Sequence, residues 1–264
     1  MLRTRSRQML SLNVLLRYGL LVVVAGVMIS PIVLMFVTSM KSEAEVFRDP
    51  LALPETWRLD NYSEAFQTGG FPRHAWNSVV VTAASVAIVV AVGSLAGYAV
   101  ARLRSRMLRI GVMTFFMLGF ALPIQVGLVQ LFVLVRDLGL SRSLLGLILI
   151  YVSLGLPVTV LLFSGFFRAV PVEFEEAAML DGAGRLRILR SIIIPLSRPA
   201  VVTAIILNAI AAWNDYFIAF VITTDATLRT LPLGIVNFND SVSFQVKWPL
   251  LLASSSMMVL QEMI

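Results

Sequence analysis

Residues 143–167 read SLLGLILIYVSLGLPVTVLLFSGFF, and this stretch contains no charged side chain. An α-helix rises about 1.5 Å per residue, so roughly 20 apolar residues cross the ~30 Å hydrocarbon core of a bilayer. Three other stretches of comparable length, residues 18–40, 74–101 and 110–135, also lack Asp, Glu, Lys and Arg. The sequence therefore predicts an α-helical protein that crosses a membrane several times.

The composition of the whole chain agrees with this prediction. Of the 264 residues, 58% are hydrophobic and 14% are charged, and the mean hydropathy is +0.89. Soluble domains carry about 45–50% apolar and ~25% charged residues, which excludes a soluble enzyme or a disordered protein. The chain has no cysteine and a single histidine, His74. These counts exclude a disulfide scaffold and argue against a zinc site or a Ser-His-Asp triad, so we expect no catalytic residue, metal or cofactor.

Two weaker stretches bring the predicted number of crossings to six. The fifth, from Pro199 to Ile222, is interrupted only by Asp215, and the sixth begins at Trp248. Only 17 residues run from Trp248 to Ile264. They make about 26 Å of helix, so we expect the sixth helix to be incomplete. We predict an all-α fold with spans over 18–40, 76–101, 108–133, 144–167, 199–222 and 248–264, a preceding segment 1–17 and a long loop 168–198.

The positions of arginine and lysine orient these helices. One side of the membrane receives 13 of these residues and the other side receives eight. Cytoplasmic loops carry the positive excess, so both termini and the loop 168–198 are predicted to be cytoplasmic. The net charge of +6 is then a signal of topology, and we expect a lipid bilayer and no nucleic acid as partner. The first span is too long for the core of a cleaved signal peptide, so we expect it to be retained.

The cytoplasmic loop contains a predicted short helix of its own. Its residues Pro171 to Gly182 read PVEFEEAAMLDG, with proline at the start and glycine just beyond the end. Three glutamates lie near the positive end of the helix dipole, and three arginines follow its negative end. Phe174, Ala177 and Ala178 share one face, a narrow ridge that suits docking into a groove of another protein. A solvated amphipathic connector is the alternative interpretation.

The spacing in this loop resembles the EAA motif in the membrane subunits of binding-protein-dependent ABC importers. Glu176-Ala177-Ala178, Gly182 and Ile192-Ile193-Ile194-Pro195 follow the register of that motif, with Ile194 in place of the usual leucine. Further segments resemble the carbohydrate branch of this family, namely Ala96-Gly97-Tyr98-Ala99, Gly165-Phe166-Phe167, Asp181-Gly182-Ala183, Trp213-Asn214-Asp215-Tyr216 and Thr230-Leu231-Pro232-Leu233-Gly234. The resemblance covers about residues 70–250.

This resemblance implies a MetI-like permease fold for residues 18–264 and a location in the bacterial inner (plasma) membrane. The short cytoplasmic helix is then the coupling helix, which docks into a cleft of a cytoplasmic ABC ATPase. The residues implied to take part in coupling are Glu176, Ala177, Ala178, Asp181, Gly182, Ile192 and Pro195. The other implied partners are a second, related permease subunit that completes a heterodimer and an external solute-binding protein that meets the loop 225–247.

The chain does not carry the residues needed to hydrolyse ATP. A P-loop needs glycines followed by a lysine to hold the phosphates. The two lysines, Lys41 and Lys247, are predicted to be external, and neither follows a glycine. We therefore expect this chain not to be an enzyme and the energy to come from another polypeptide. Pro195 and Pro199 cannot continue a regular helix, so they are predicted to set the angle between the docking segment and the fifth span.

Polar side chains inside the spans are candidates for a translocation pathway, because intramembrane polar groups usually face protein or water. The candidates are Asn208, Asn214, Asp215, Gln125 and Gln130. A position near the outer solution is an alternative explanation for Asp215 and for the two glutamines. Neutral amides favour an uncharged, polyhydroxylated solute, such as a sugar or a related polyol.

Three other functions stay open on the sequence alone. A permease of the same superfamily for an amino acid or a polyamine shares most of these features. A self-contained secondary transporter or channel needs no ATPase and retains its activity when Gly182 is changed. A polytopic membrane enzyme needs a catalytic pair, and the sequence does not supply one.

Overall fold

A computed structural model describes residues 2–121, 123–234, 239–240 and 245–262. This part of the chain is almost entirely helical, and the all-α prediction is confirmed. The helices are α1 (Leu2–Ser39), α2 (Glu43–Arg48), α3 (Asp60–Thr68), α4 (Phe71–Ala101), α5 (Arg106–Ala121), α6 (Ile124–Asp137), α7 (Leu144–Ala169), α8 (Glu173–Leu180), α9 (Arg185–Ile188), a π-helical turn (Leu189–Ile193), α10 (Ile194–Leu196), α11 (Arg198–Trp213), α12 (Phe217–Ile222), a 3₁₀ turn (Ala226–Leu228), α13 (Leu231–Gly234) and α14 (Trp248–Glu262). Strands β1 (Asn239–Asp240) and β2 (Gln245–Val246) form a two-residue antiparallel ladder.

Some of the predicted segments reach beyond the described residues. The external loop 225–247 includes residues 235–238 and 241–244, and the sixth span 248–264 includes residues 263–264, which lie outside them. The chain divides into two compact units, Met1–Phe71 with Ile235–Ile264, and Pro72–Gly234.

The first unit contains a long exposed helix and a small core. Residues 17–34 of α1 are exposed along their whole length, as expected of a helix whose neighbours are lipid chains. The core lies where α3 packs against α14, and it buries Ala65, Leu250 and Ala253.

The segment that follows α1 is ordered by polar contacts. Ser42 and Glu45 form a capping box at the start of α2, and the hydrogen bonds from Ser42 hold the pKa of the Glu45 carboxyl below its usual range. The buried Lys41 donates from Nζ to the carbonyl oxygens of Asp49 at 2.9 Å and Pro50 at 3.0 Å. These contacts satisfy two of the three donors of a cation that burial otherwise disfavours.

The second unit has two hydrophobic clusters. One joins α4, α6, α7 and α12 around buried residues such as Val81, Leu147 and Ala219. The other joins α4 and α7 to the segment from α9 to α11, and it includes Phe163, Phe167, Ile188, Ile193 and Ala204. The rings of Phe163 and Phe167 stack with centroids 5.1 Å apart. This second cluster connects the segment after α8 to the long apolar helices.

Two glycines bring α4 and α7 close together. A Cβ added at Gly93 lies 2.7 Å from Cγ2 of Thr159, and one added at Gly97 lies 2.6 Å from Cβ of Phe163. No side chain fits at these distances, so the Gly-x-x-x-Gly spacing acts here through close helix packing.

The described residues contain three helices that are long and apolar enough to cross a membrane. These are Arg17–Ser39, Phe71–Ala101 and Leu144–Ala169, and counting two bent helix pairs as spans raises the number to five. The apolar part of the last helix, Trp248–Val259, is shorter than a crossing requires. Six crossings therefore stays a prediction.

Two predicted spans are interrupted. The third, 108–133, is formed by α5 and α6. These two helices are bent by 91° relative to each other, and Pro123 lies between them. Proline has no N–H to donate and disfavours helix at the preceding residue, which explains the break. In the fifth, 199–222, α11 ends at Trp213 and α12 begins at Phe217. The sequence analysis did not predict this second break, because residues 214–216 contain no proline or glycine and Asn214 and Asp215 were interpreted as polar groups inside a span.

Candidate coupling helix and transmembrane cavities

The end of α8 is defined by Gly182, which has a φ of +78°. The amide of Gly182 donates to the carbonyl of Met179 at 3.0 Å, and the amide of Ala183 donates to the carbonyl of Ala178 at 2.9 Å. This pair of bonds is a Schellman motif, which satisfies carbonyls left without partners at the helix end. Side chains other than glycine are strained at this φ, so the sequence requires glycine here to turn the chain sharply out of α8.

Most of α8 is exposed, and so are the coupling candidates Glu176, Ala177, Asp181 and Gly182. The exposed apolar side chains beside them include Phe174, which is 52% exposed, and Leu180, which is 90% exposed. Exposed apolar residues clustered on a short helix are typical of a protein contact surface. The arrangement therefore fits docking better than it fits a solvated connector.

A small pocket of about 200 Å³ lies between α8 and the segment that follows it. It brings together three of the predicted coupling residues, Ala178, Asp181 and Ile192, with Arg187 also in its wall. Pro195 is half-buried farther along the chain. The helical segment Arg185–Leu196 meets α11 at an angle of 85°, which confirms the bend predicted at Pro195 and Pro199.

The buried residue of α8 is Glu175, which the sequence did not separate from Glu173 and Glu176. Oε2 of Glu175 accepts a hydrogen bond from the hydroxyl of Tyr98 at 2.7 Å, and Oε1 accepts one from Nε of Arg102 at 2.5 Å. Arg102 and Glu175 also form an ion pair through Nη2 of the arginine. The match of Ala96-Gly97-Tyr98-Ala99 to the family was the one available signal that Tyr98 matters.

The larger cavity of this unit has a volume of about 740 Å³ and two walls. One wall is α4, with residues from Val79 to Leu95, and the other is the segment from α9 to α11, with residues from Leu186 to Trp213. The lining is mainly apolar, with Thr82, Ser94 and Arg190 among its few polar residues. Among the described residues, Oγ1 of Thr82 has no hydrogen-bond partner.

The second cavity has a volume of about 410 Å³ and contains two of the predicted pathway residues, Asn208 and Asp215. Nδ2 of Asn208 donates to Oγ1 of Thr159 at 2.9 Å, which joins α11 to α7. A Cβ added at Gly155 overlaps Oδ1 of Asn208, so the amide occupies the space that glycine leaves.

Asp215 lies at the break in the fifth span. Oδ2 accepts hydrogen bonds from the hydroxyl of Tyr151 at 2.7 Å and from the amide of Ala219 at 3.0 Å. Its Oδ1 also accepts from the amide of Ile218 at 3.4 Å. The carboxylate therefore caps α12 and satisfies amides that the interruption leaves without helical partners.

The other three predicted pathway residues do not join this cavity. Gln125, Gln130 and Asn214 are exposed, and their assignment to a pathway stays a prediction.

A polar cluster at the start of α4 was missed by the sequence analysis. Nδ2 of Asn77 donates to the carbonyls of Thr227 at 3.0 Å and Arg229 at 2.9 Å. Oγ of Ser78 accepts from the amide of Leu231 at 2.8 Å, and Nδ1 of His74 lies 3.0 Å from the carbonyl of Arg229. These three side chains hold the backbone of the segment that carries the Thr-Leu-Pro-Leu-Gly match.

Long apolar helices, an exposed short helix and cavities between the helices are features of a membrane-embedded transport component. A family model described as "Binding-protein-dependent transport system inner membrane component" matches residues 90–262. The chain belongs to this family, and it is a permease component of an ABC importer in the inner membrane.

Several relatives support the same conclusion. The trehalose transport system permease protein SugB of Mycobacterium tuberculosis is 36% identical over 84% of this chain and 80% of its own length. The sulfoquinovosyl glycerol transport system permease protein SmoH of Agrobacterium fabrum is 35% identical over 85% of this chain and 78% of its own. The diacetylchitobiose uptake system permease protein NgcG of Streptomyces coelicolor is 30% identical over 90% of this chain and 78% of its own.

A solved structure shares the fold. It is the crystal structure of a bacterial ABC transporter involved in the import of the acidic polysaccharide alginate, and one of its chains superimposes with a TM-score of 0.78. The match covers 94% of this chain and 92% of that one, at 24% sequence identity. It supports the permease fold predicted from the EAA-like register.

Proposed function

We propose that this chain forms half of the translocation pathway of an ABC importer for a sugar or a related polyol, and that α8 docks into its ATPase. The observation that carries the docking role is the exposed α8, which ends in the left-handed turn at Gly182. A short helix with a fixed end can transmit a displacement that a flexible loop absorbs. ATP hydrolysis then takes place on the separate ATPase subunit.

The docking role is tested with the purified complex of permease, ATPase and binding protein in nanodiscs. Glu176→Ala removes an exposed carboxylate from α8, and Gly182→Asp adds a side chain at a positive φ. We expect both variants to insert but to lose ATPase stimulation by the binding protein, with Gly184→Ala as a control at a glycine of ordinary φ. Full stimulation in both variants would overturn the docking role of α8.

For the pathway, we propose that the two cavities belong to the route of the solute. Support comes from the polar groups of Asn208 and Asp215 beside the smaller cavity, because polar groups inside a membrane usually face protein or water. Gln125, Gln130 and Asn214 are proposed to face the pathway from the exposed surface, where a second permease subunit can cover them. A heterodimer then completes the walls that a single chain leaves open.

The solute class rests on relatives and on the chemistry of these groups. Relatives carry the names of trehalose, diacetylchitobiose and multiple-sugar transport systems. The neutral amide of Asn208 suits the hydroxyls of a sugar, and the carboxylate of Asp215 is already occupied by Tyr151 and two backbone amides, whereas an amino acid or a polyamine needs free counter-charges. Uptake of radiolabelled trehalose, diacetylchitobiose, glutamate and putrescine into proteoliposomes, driven by internal ATP, tests this choice. Uptake of glutamate or putrescine alone would overturn the sugar assignment.

The remaining proposals concern topology and partners. Both termini and the loop 168–198 are proposed to be cytoplasmic, segment 1–17 included, with residues 18–264 as the permease domain. The external loop 225–247 is proposed to meet the solute-binding protein. Since the sequence contains no cysteine, single cysteines at Glu173 and Glu55 report the two sides of the membrane directly. We expect a membrane-impermeant maleimide added to intact cells to label the cysteine at residue 55 and not the one at residue 173.

A further inference from the structure

Glu175 differs from its acidic neighbours because it is removed from water. Its side chain is 3% exposed, whereas Glu173 and Glu176 on the same helix are exposed. A buried carboxylate is strongly disfavoured unless it is paired and hydrogen-bonded. A surface helix that only docks has no need for such a group, so its burial indicates a role on the inner side of α8.

The partners of Glu175 occupy both of its carboxylate oxygens. Tyr98 donates to Oε2 at 2.7 Å, and Arg102 donates from Nε to Oε1 at 2.5 Å. Tyr98 lies in the last turn of α4, and Arg102 follows that helix directly. We name these three residues the inner clamp.

Arg102 also connects the clamp to α7. Its Nη2 donates to the carbonyl of Val170 at 3.2 Å, and Val170 is the C-cap residue of α7. A guanidinium complements the negative end of a helix dipole as well as a carboxylate. One side chain therefore joins the ends of α4 and α7 to α8.

The clamp links α8 to a second wall of the larger cavity. The wall formed by α9 to α11 follows α8 along the backbone through the short connection 181–184. The opposite wall is α4, which is far from α8 in sequence and meets it through Glu175. A displacement of α8 can thus reach one wall through the covalent chain and the other through the inner clamp.

We infer that Glu175 is a positioning residue that makes α4 move together with α8 when the ATPase closes. Without the clamp, α8 drives the α9–α11 wall alone, and ATP hydrolysis no longer opens and closes the cavity fully. This inference rests on the proposed docking of α8. A link between two elements that change position together is the physical requirement for coupling distant sites.

The test measures the two walls directly in the full complex in nanodiscs. Ala87 and Ala209 line the cavity from α4 and α11, and the cysteine-free chain allows Ala87→Cys and Ala209→Cys to carry nitroxide labels. The distance between the labels is measured by pulsed electron paramagnetic resonance with and without MgATP. The pair of labels is introduced into three backgrounds. These are the otherwise native chain, the Glu175→Gln variant, and the Glu173→Gln variant as the matched exposed control.

We expect MgATP to shift the distance in the native background and in Glu173→Gln, and to shift it much less in Glu175→Gln. We expect the factor by which the binding protein stimulates ATPase activity to be about tenfold smaller in Glu175→Gln than in the native chain. The charge-swapped pair Arg102→Glu with Glu175→Arg should regain part of the shift, which a purely local packing role does not predict. An unchanged shift in Glu175→Gln overturns the inference.

Two further measurements keep the outcomes separate. Co-purification of the ATPase with each variant reports docking, so loss of the ATPase from the native background counts against the proposed function rather than the clamp. If Glu175→Gln does not accumulate in the membrane, Arg102→Gln carries the test, because it removes the ion pair and leaves an amide that can still donate to Glu175. A native-size shift in Arg102→Gln then overturns the inference, and a reduced one supports it.

Discussion

At the C-terminal end of α4, Tyr98 and Arg102 hold the side chain of Glu175, whereas at its N-terminal end Asn77 and Ser78 hold backbone atoms of residues 227–231. The first contact is an ion pair with a buried carboxylate. The second consists of neutral side chains, with His74 beside them, and we name His74, Asn77 and Ser78 the outer clamp. One helix therefore positions two segments by different chemistry.

This difference has consequences for how each contact tolerates change. A clamp on backbone carbonyls does not depend on the side chains of the segment that it holds, so that segment can vary in sequence. The inner clamp depends on one carboxylate, and removing its partner leaves a charge in a place that water does not reach. The inner clamp is thus the stronger constraint and also the easier one to break by a single substitution.

Arg102→Ala is expected to have the largest effect, because it leaves the Glu175 carboxylate buried with Tyr98 alone. Breaking a buried pair from one side typically costs about 3–5 kcal/mol. We expect a clear fall in the thermal midpoint of the detergent-solubilised chain, read by size-exclusion chromatography after heating. Arg104→Ala, at an exposed arginine two residues later, is the control. Equal midpoints for the two variants would contradict the inner clamp.

Gly155→Ala, a substitution on α7, tests the packing of α7 against the middle of α4, between the two clamps. The added Cβ overlaps Oδ1 of Asn208 and approaches Cγ2 of Val89 on α4 to 3.2 Å. Overpacking of this kind costs about 1–3 kcal/mol, and we expect the midpoint of heating to fall accordingly. Gly127→Ala is the matched control, because nothing lies within 4 Å of a Cβ at that helical glycine. Alanine has the higher helix propensity, so the control should keep or gain stability, and an equal loss in the control would contradict the contact explanation.

Asn77→Ala should weaken the outer clamp by a smaller amount. It removes two hydrogen bonds and leaves the carbonyls of Thr227 and Arg229 with fewer donors, at a cost of about 1–2 kcal/mol. We expect faster amide hydrogen exchange in residues 227–231 and unchanged exchange in α8. The exposed neighbour Trp76, changed to Phe, serves as control. Faster exchange in α8 as well would mean that the two ends of α4 are not independent.

Gly182→Ala is expected to have the smallest effect on stability. A side chain at a φ of +78° costs about 1 kcal/mol, and the space around it is open. We expect faster exchange at the Schellman amides of Gly182 and Ala183, and Gly182→Asn should cost less because asparagine tolerates this conformation. Gly184→Ala should have no such effect, since its φ of −75° is ordinary. A similar change in Gly184→Ala would refute the role of the left-handed turn.

The limits of α8 and the bend before α11 were predictable because their signals are local. Pro171 and Gly182 mark the limits of a short helix, and the described α8 lies between them. The bend beside Pro195 and Pro199 was predictable for the same reason, since proline acts on its own backbone and that of its neighbour.

The cavities and clamps were less predictable because they depend on residues that are distant in sequence. Asn208 and Asp215 were identified as polar groups inside a span, and both line one cavity. Asn214 and Asp215 favour turns and helix starts, but they were interpreted as polar groups of a continuous span, so the cap that Asp215 forms on α12 was not predicted. The exposure of Gln125 and Gln130 equally follows from how α6 packs, which its sequence does not specify.

The sequence by itself determined that this protein is an α-helical membrane component with a short helix between Pro171 and Gly182, because hydropathy and helix ends are local properties of the chain. Only the tertiary structure decided which of three neighbouring glutamates is buried. Glu173, Glu175 and Glu176 share the same local pattern, and the partners that single out Glu175 lie 77 and 73 residues away. Burial and pairing are set by helix packing, so that choice exists only in the folded chain.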